Sequence, residues 1–565
     1  MRTSMHRRSN WRFVVAAPSS PRVSVCALVL LLMLTGCAAD QWSVFEVDWQ
    51  KRLDDQAQRR VEMPDHLRPT PTDTTVPIPE GDGPLALSVE QAVLLALRNN
   101  RDLAVQQLSP VIVGAFEQIE RGLFDPELFA EFAYSEDQAV EASRSTGERF
   151  GVTSDGVSAV AGVRQRLPTG TDVEATVSHD RSISSRSPEL QEARLGLTIT
   201  QSLLEGFGPA VNLARIRQAQ LGTLASEHEL RGFTEALLAE TEIAYWHYTL
   251  AETEIEIFER SLDLAKRQRD EAEQRIEVGV LARTEAAAVR AEVALREQQL
   301  IDARSTLEAQ RLRLLRLLNA GPAAITLERQ VHATSDPRLK AMPITDSKER
   351  LQLAQRFRPD LNEARMRLEQ DRLETIVTRN GLLPRLDLFV ALGKSGFDDR
   401  FDRSFGDIDG PAYDFVAGAR FSHMLGNRAD RGRDVAARAT RQQSAAAIHN
   451  LTQLVDLDVR LAINEAERSR QQIDATAATR VLQEETFDAE RQRFEVGAST
   501  ALLVAQAQRD LLASQIAEVE TIVNYRVALV RLYLAEGSLL ERRGLRLGQA
   551  QGRHGAPQQG PAPLR

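Results

Sequence analysis

Nine histidines, two cysteines and one Gly-Phe-Gly stretch are the raw material from which chemistry would have to be built in this 565-residue chain. No two histidines stand three or four residues apart and none sits in a carboxylate constellation, so the spacing of a metal site is missing. Gly206-Phe207-Gly208 precedes a helical pattern but lacks the third glycine and the βαβ setting of a dinucleotide site. There is no Gly-x-Ser-x-Gly and no P-loop. Tyr245, Trp246 and Tyr248 share one helical stretch and read as packing residues. A net charge of -10, without a Lys/Arg run interleaved with aromatics, excludes a nucleic-acid face. The sequence predicts no enzyme, no metal and no cofactor.

The one covalent reaction it does predict is acylation. Arg2, Arg7, Arg8, Arg12 and Arg22 form a positive region ahead of Val23 to Leu34, an apolar run too short to span a bilayer. It ends Leu34-Thr35-Gly36-Cys37, the pattern of a bacterial lipobox. In such signals the cysteine becomes the first mature residue and carries lipid, palmitate included, which anchors a chain without a spanning helix. The position after Ala38 is Ala39, not Asp, which by resemblance to such lipoproteins implies transport to the outer membrane over retention at the inner one. With Cys26 in the signal and Cys37 acylated, no thiol remains for catalysis or a disulfide.

Position must therefore come from long elements, and the chain holds two sets of them. Gly279 in Arg-Ile-Glu-Val-Gly and Gly497 in Arg-Phe-Glu-Val-Gly stand 218 apart, as do Gly208 and Gly426. Upstream, Arg101-Asp102-Leu103 and Pro359-Asp360-Leu361 stand 258 apart, as do Pro126 and Pro384. The second half repeats the first, and the first carries 40 additional residues between Pro126 and Gly208. A helix is expected from the Ser88 cap to about Gly122. Very long helices are expected over 210–276 and 429–494, with return helices over 283–319 and 500–536. Ile243, Leu250, Ile257 and Leu264 recur every seven residues, and so do Ile516, Val523 and Val530. Gly279 and Gly497 are the turn formers between them.

Segments of period two lie between the helices. Leu128, Ala130, Phe132 and Tyr134 alternate, then Val157 to Val163, Val173 to Val177 and Leu195 to Ile199. In the second half Leu386 to Leu392 and Tyr413 to Phe421 do the same. Each has about the length a tilted membrane strand needs, and the long polar loops and the tight Leu167-Pro168-Thr169-Gly170 turn fit such strands. A small soluble sheet is the competing reading. The division that follows is a signal over 1–37, a Pro-rich extension over 38–87, repeat 1 over 88–320 and a linker over 321–346. Repeat 2 covers 347–540 and a disordered tail 541–565. The 40 additional residues read as an extra hairpin at about 156–180, either joining the sheet or folding over its outer mouth.

Helix, strands, very long helix, Val-Gly turn and return helix, twice over, resemble the TolC-like outer membrane efflux family across nearly all of residues 88–540. The matching stretches are Gln201-Ser202-Leu203-Leu204-Glu205-Gly206-Phe207-Gly208, the two Arg-x-x-Val-Gly turns and Leu382-Leu383-Pro384-Arg385-Leu386. The resemblance implies a mostly α protein with membrane β-strands. It further implies a homotrimer whose strands close one β-barrel in outer-membrane lipid, continued by an α-helical tunnel across the periplasm. Its function would be the passive exit channel of a tripartite efflux or secretion system in a Gram-negative cell. Its partners would be a periplasmic adaptor (membrane fusion) protein and an inner-membrane transporter. A periplasmic coiled-coil spacer without conduction is the alternative.

By the same resemblance the tips at Gly279 and Gly497 meet the adaptor, and Leu502, Leu503, Gln506 and Arg509 fall where the family narrows and locks its periplasmic gate. Leu502 and Leu503 read equally as helix packing, and Arg509 as a solvated surface residue. The chain lacks the Asp that family members often carry at Leu503 or Gln506, so an acidic ring and inhibition by divalent cations do not carry over.

Overall fold

Caps and prolines, more than apolar periodicity, decide where the helices of this chain begin and end. The computed structural model describes residues 84–142, 144–279, 282–283, 285–318 and 328–545. The expected signal with Cys37, the extension up to residue 83, the start of the linker and the tail from residue 546 lie outside the described residues.

β1 (Leu85–Leu87) leads into α1 (Val89–Asn99), α2 (Arg101–Gln106) and α3 (Ser109–Arg121). Then come β2 (Glu127–Ala142), β3 (Arg149–Arg166), β4 (Thr171–Ser184) and β5 (Leu190–Ser202). A single turn, α4 (Pro209–Asn212), opens onto α5 (Ala214–Glu277), and α6 (Glu285–Leu318) returns. The second half holds β6 (Val331–Ala333), α7 (Ser347–Phe357), α8 (Pro359–Asn380), β7 (Arg385–Asp398), α9 (Phe401–Gly406) and β8 (Tyr413–Ser422). It closes with α10 (Arg428–Glu495), α11 (Ala501–Ala535) and α12 (Leu539–Arg542).

The one helix expected from Ser88 to Gly122 is three. Ser88 and Gln91 form a capping box as the sequence requires. Asn100 is extended, however, and its side chain accepts from the Leu103 N–H at 3.0 Å, starting a new helix. Pro110 at the head of α3 enforces the second break. The second repeat breaks at the equivalent place, with Arg358 extended ahead of Pro359.

The expected tail also starts later than residue 541. Arg543 Nε donates to Glu242 at 2.6 Å, and Glu242 is fully buried in α5, so the chain stays ordered past α12. A buried carboxylate needs its counter-ion, which fixes this stretch.

Two sheets form. β1 and β6 pair in parallel, a contact unforeseen from segments three residues long. They close the main core: Leu85, Leu87 and Val331 pack with Tyr245, Trp246, Tyr248, Leu314, Leu318 and Val523. Tyr245 Oη donates to the Leu87 carbonyl at 2.9 Å and accepts from the Ser335 N–H at 3.0 Å, while Tyr248 Oη donates to the Val331 carbonyl. The aromatic cluster is thus packing, with both tyrosine hydroxyls hydrogen-bonded. The larger sheet is antiparallel throughout, in the order β2-β3-β4-β5-β7-β8. The additional hairpin of repeat 1, β3–β4, is hydrogen-bonded into it on both sides.

Helices continue from the strand ends in matching lateral order: α3 lies against α5, α5 against α8, and α8 against α10. Farther along the long helices, α6 packs on α5 and α11 on α10, and α11 also touches α5. With a rise of 1.5 Å per residue, the 64-residue α5 is roughly 96 Å long.

Candidate functional site

Register makes the large sheet two-faced. Across the pairs, Leu128, Val163, Ala175, Leu197, Leu392 and Phe415 stand in one row on one face. Ala130, Ala161, Val177, Leu195 and Tyr413 make the adjacent row, broken only by Lys394. Ile199, Val390 and Ala417 continue the face. Period two turns the intervening residues the other way, and that side carries Glu127, Glu131, Arg164, Glu174, Ser178, Arg194 and Asp414, interspersed with Phe129, Val160 and Val416. Arg164 there grips Glu127 through two bonds of 2.7 and 2.9 Å, Arg194 Nη2 donates to Asp414 at 2.6 Å, and Ser202 donates to Asp387 at 2.9 Å. Leu128 and Phe132 are 80% and 72% exposed. An apolar face this wide suits lipid, and a polar one facing it suits water. Phe401 and Phe405 of α9 meet His179 at the far end of the apolar face, with Tyr134 and Tyr413 nearby, the aromatic rim of such a wall.

The tight turn at Leu167–Gly170 is bolted to the strand-to-helix junction. Asn212 Nδ2 donates to the carbonyls of Pro168 (3.0 Å), Gly206 (2.8 Å) and Gly208 (3.1 Å). Gly170 has φ +85°, and a Cβ there would strike the Gly206 carbonyl, so only glycine fits.

The opposite ends of the long helices form two tips built alike. Gly279 and Gly497 both have φ +78° with open space around them. The Gly279 N–H donates to the Ile276 carbonyl and the Gly497 N–H to the Phe494 carbonyl, each at 3.1 Å. The preceding Val278 and Val496 are 73% and 79% exposed. Arg275 stacks over the Phe494 ring and ties the two hairpins together.

Beyond the second tip, Thr500 caps α11 by accepting from the Leu503 N–H. Ala501, Val504, Ala505, Gln508 and Leu512 face inward on α11. Leu502, Gln506 and Arg509, spaced i, i+4 and i+7, make an exposed stripe with Leu503 beside it; the two leucines are 50% and 46% exposed. Helix packing within the chain therefore does not occupy Leu502 or Leu503. Arg509 is not a free surface residue either: its Nε lies 3.4 Å from Glu292 on α6, which is itself paired with the buried Arg296 at 2.5 Å. Sequence reasoning missed Glu292 and Arg296. Their i, i+4 spacing was visible, but it also describes many exposed pairs in this chain.

Among the described residues no group of His, Cys, Asp or Glu is arranged to hold a metal ion, and no helix is long and apolar enough to cross a membrane. What the geometry offers is a two-faced β-wall joined to a sheaf of very long helices, the parts of a transport channel. The family model for outer membrane efflux proteins matches residues 156–320 and 351–538, and the chain belongs to that family. It is an outer-membrane efflux channel protein that performs no enzymatic reaction.

Solved structures share the fold. The outer-membrane channel OprN is 19% identical, with 84% of this chain and 98% of that one aligned at a TM-score of 0.61. The CmeC outer membrane channel of Campylobacter jejuni is 16% identical, over 86% and 98% of the two chains, at 0.59. The MtrE channel of Neisseria gonorrhoeae, solved in an open state, is 19% identical, over 80% and 90%, at 0.56. No curated protein matches the sequence.

Proposed function

We propose that three copies of this chain close into one passive duct, through which substrates leave the cell from an inner-membrane transporter and a periplasmic adaptor. One observation carries the reading: both sides of the chain end in open edges of the same two kinds. β2 and β8 each pair on one side only. The outermost helix beside β2 is α3, whose Leu108-flanked surface exposes Ile112, Phe116 and Ile119. The outermost helix beside β8 is α10, exposing Val435, Leu454, Leu457 and Leu461. Unpaired strand edges are not tolerated in lipid. A second copy, rotated about an axis, offers its β2 and α3 to the first copy's β8 and α10, and repetition closes a ring. A lone periplasmic spacer has no use for a lipid-facing sheet.

In this reading Leu502, Leu503 and Gln506 line the narrow end of the duct. Arg509, held by Glu292, keeps α11 against α6 and the narrow end shut. The exposed Val278-Gly279 and Val496-Gly497 tips are the adaptor's docking points, and lipid on Cys37 tethers each copy to the outer membrane. The test is a planar-bilayer recording on purified full-length protein, with Leu502→Ser and Leu503→Ser alongside. Small currents from the native protein and larger ones from the variants are expected. Silence from all of them defeats the duct, and unchanged conductance in the variants defeats the gate.

A further inference from the structure

We infer that the wall of the duct has eighteen strands, because the inserted hairpin β3–β4 is a working part of it and not an ornament on a twelve-strand ring. The inference rests on the trimeric reading above. Repeat 2 contributes β7 and β8, and its counterparts in repeat 1 are β2, which follows Pro126 as β7 follows Pro384, and β5, which precedes Gly208 as β8 precedes Gly426. A duplicated chain without the insertion would bring four strands. Among its described residues this one brings six.

Four observations place the hairpin in the wall. β3 pairs with β2 over Glu127–Ala142, and β4 with β5 over Thr171–Ser182, so both flanks are zipped. Its alternating residues Val157, Ala159, Ala161, Val163, Val173, Ala175 and Val177 fall in the rows of the lipid-facing side, and Ser158, Arg164, Glu174, Thr176 and Ser178 on the other. Its turn is fastened by Asn212 to the junction from which α4 and α5 depart. Parity is also kept. Inserting two strands leaves β8 antiparallel to the β2 of the next copy and leaves every long helix on one side of the membrane, whereas inserting one strand would violate both.

The register also gives the girth. Glu131, midway along the apolar residues of β2, is level through Val160, Ser178, Arg194 and Ser395 with Ala412. The apolar residues of β8 centre on Ala417, five positions farther on. At about 3.3 Å per residue and about 4.8 Å per strand, that slip corresponds to a tilt of about 35°, within the range of closed membrane barrels. Eighteen strands at this tilt make a ring about 105 Å around and about 34 Å across, where twelve would be about 22 Å across. Four helices per copy, α3, α5, α8 and α10, adjoin strands of this sheet in chain order, α3 before β2, α5 after β5 and α4, α8 before β7 and α10 after β8. Twelve helices spaced 8–10 Å apart make a ring of about 108 Å. The hairpin thus matches the girth of the β-wall to that of the helical sheaf, so that the outer-membrane segment does not narrow the path.

Two measurements on the full-length protein test this. Electron microscopy of the purified assembly should show three subunits around a ring of eighteen strands about 34 Å in diameter. In intact outer membranes, Ala161→Cys and Val177→Cys should react with a membrane-impermeant maleimide at less than about a tenth of the rate of Ser158→Cys and Ser178→Cys, because lipid shields one face only. A trimer with a twelve-strand ring and a hairpin outside it, or four cysteines that label alike, overturns the eighteen-strand wall and leaves the trimer standing. A subunit number other than three overturns the trimeric reading itself.

Discussion

The belt around Tyr245 and the β-wall are built from equally apolar residues, yet one is complete within a single chain and the other is not. In the belt, Leu85, Leu87, Tyr245, Leu314 and Leu318 are fully buried by elements far apart in sequence. In the wall, Leu128, Phe132, Tyr413 and Phe421 stand open on the apolar face. The belt is an ordinary protein core whose solvent is protein. The wall leaves its apolar face and its two edge strands open, and in the duct proposed above lipid and neighbouring copies would cover them. Substitutions should therefore fail differently in the two regions, at folding in one and at assembly in the other.

The sharpest separation comes from the belt. Trp246→Ala removes an indole wedged beside Tyr245 and covered by Arg526 at 4.9 Å, and should cost about 3–5 kcal/mol. Thermal unfolding in detergent should show a large drop for individual chains, whatever their assembly state. An unchanged midpoint would mean that the belt is not the core.

The wall should respond by face. Val390→Arg sets a charge among the lipid-facing rows and should cost about 2–4 kcal/mol near the bilayer midplane. Thr198→Arg, near it in the pairing but on the polar face, should cost little. The amount of assembled protein in outer-membrane fractions reads the difference. Equal losses for both variants would undo the assignment of faces.

This contrast also explains what could be read from the sequence. A strand half in lipid and half in water must alternate, so all six strands stood out, as did the seven-residue spacing of the long helices. Tertiary partners were not legible in the same way. β1 and β6 are three residues each, too short to carry a period, and acquire meaning only by pairing with each other beside Tyr245. The break at Asn100 is a capping choice made within an unbroken apolar pattern. At the tip, Arg509 was singled out but its partner Glu292 lies 217 positions earlier on another helix, and no local signal joins them.

A smaller effect tests whether the two tips are equivalent as the repeat suggests. Gly279→Ala and Gly497→Ala each put a side chain where φ is +78°, which should cost about 1–2 kcal/mol apiece. Neither meets a steric clash, so the two costs should agree. A difference larger than that, in thermal unfolding of the two variants, would show that one tip is packed against something the other lacks.

The smallest effect asks whether burial within the belt's helix extends to charge. Glu235 on α5 is almost completely buried, and that burial pushes its carboxyl up to about 7 from an ordinary 4.5, although Arg231 at 3.0 Å pulls the other way. Because the folded chain holds this proton more tightly than the unfolded one, the group stabilises the fold most below about pH 4.5. That contribution fades as the pH rises through 7. Between pH 6 and pH 8 the loss should be about 1 kcal/mol. Glu235→Gln keeps the shape and removes the titration, so its unfolding temperature should fall less over that interval than that of the native protein. Parallel pH profiles for the two would mean that Glu235 stays ionised beside Arg231, and that the belt's neighbourhood is wetter than its burial implies.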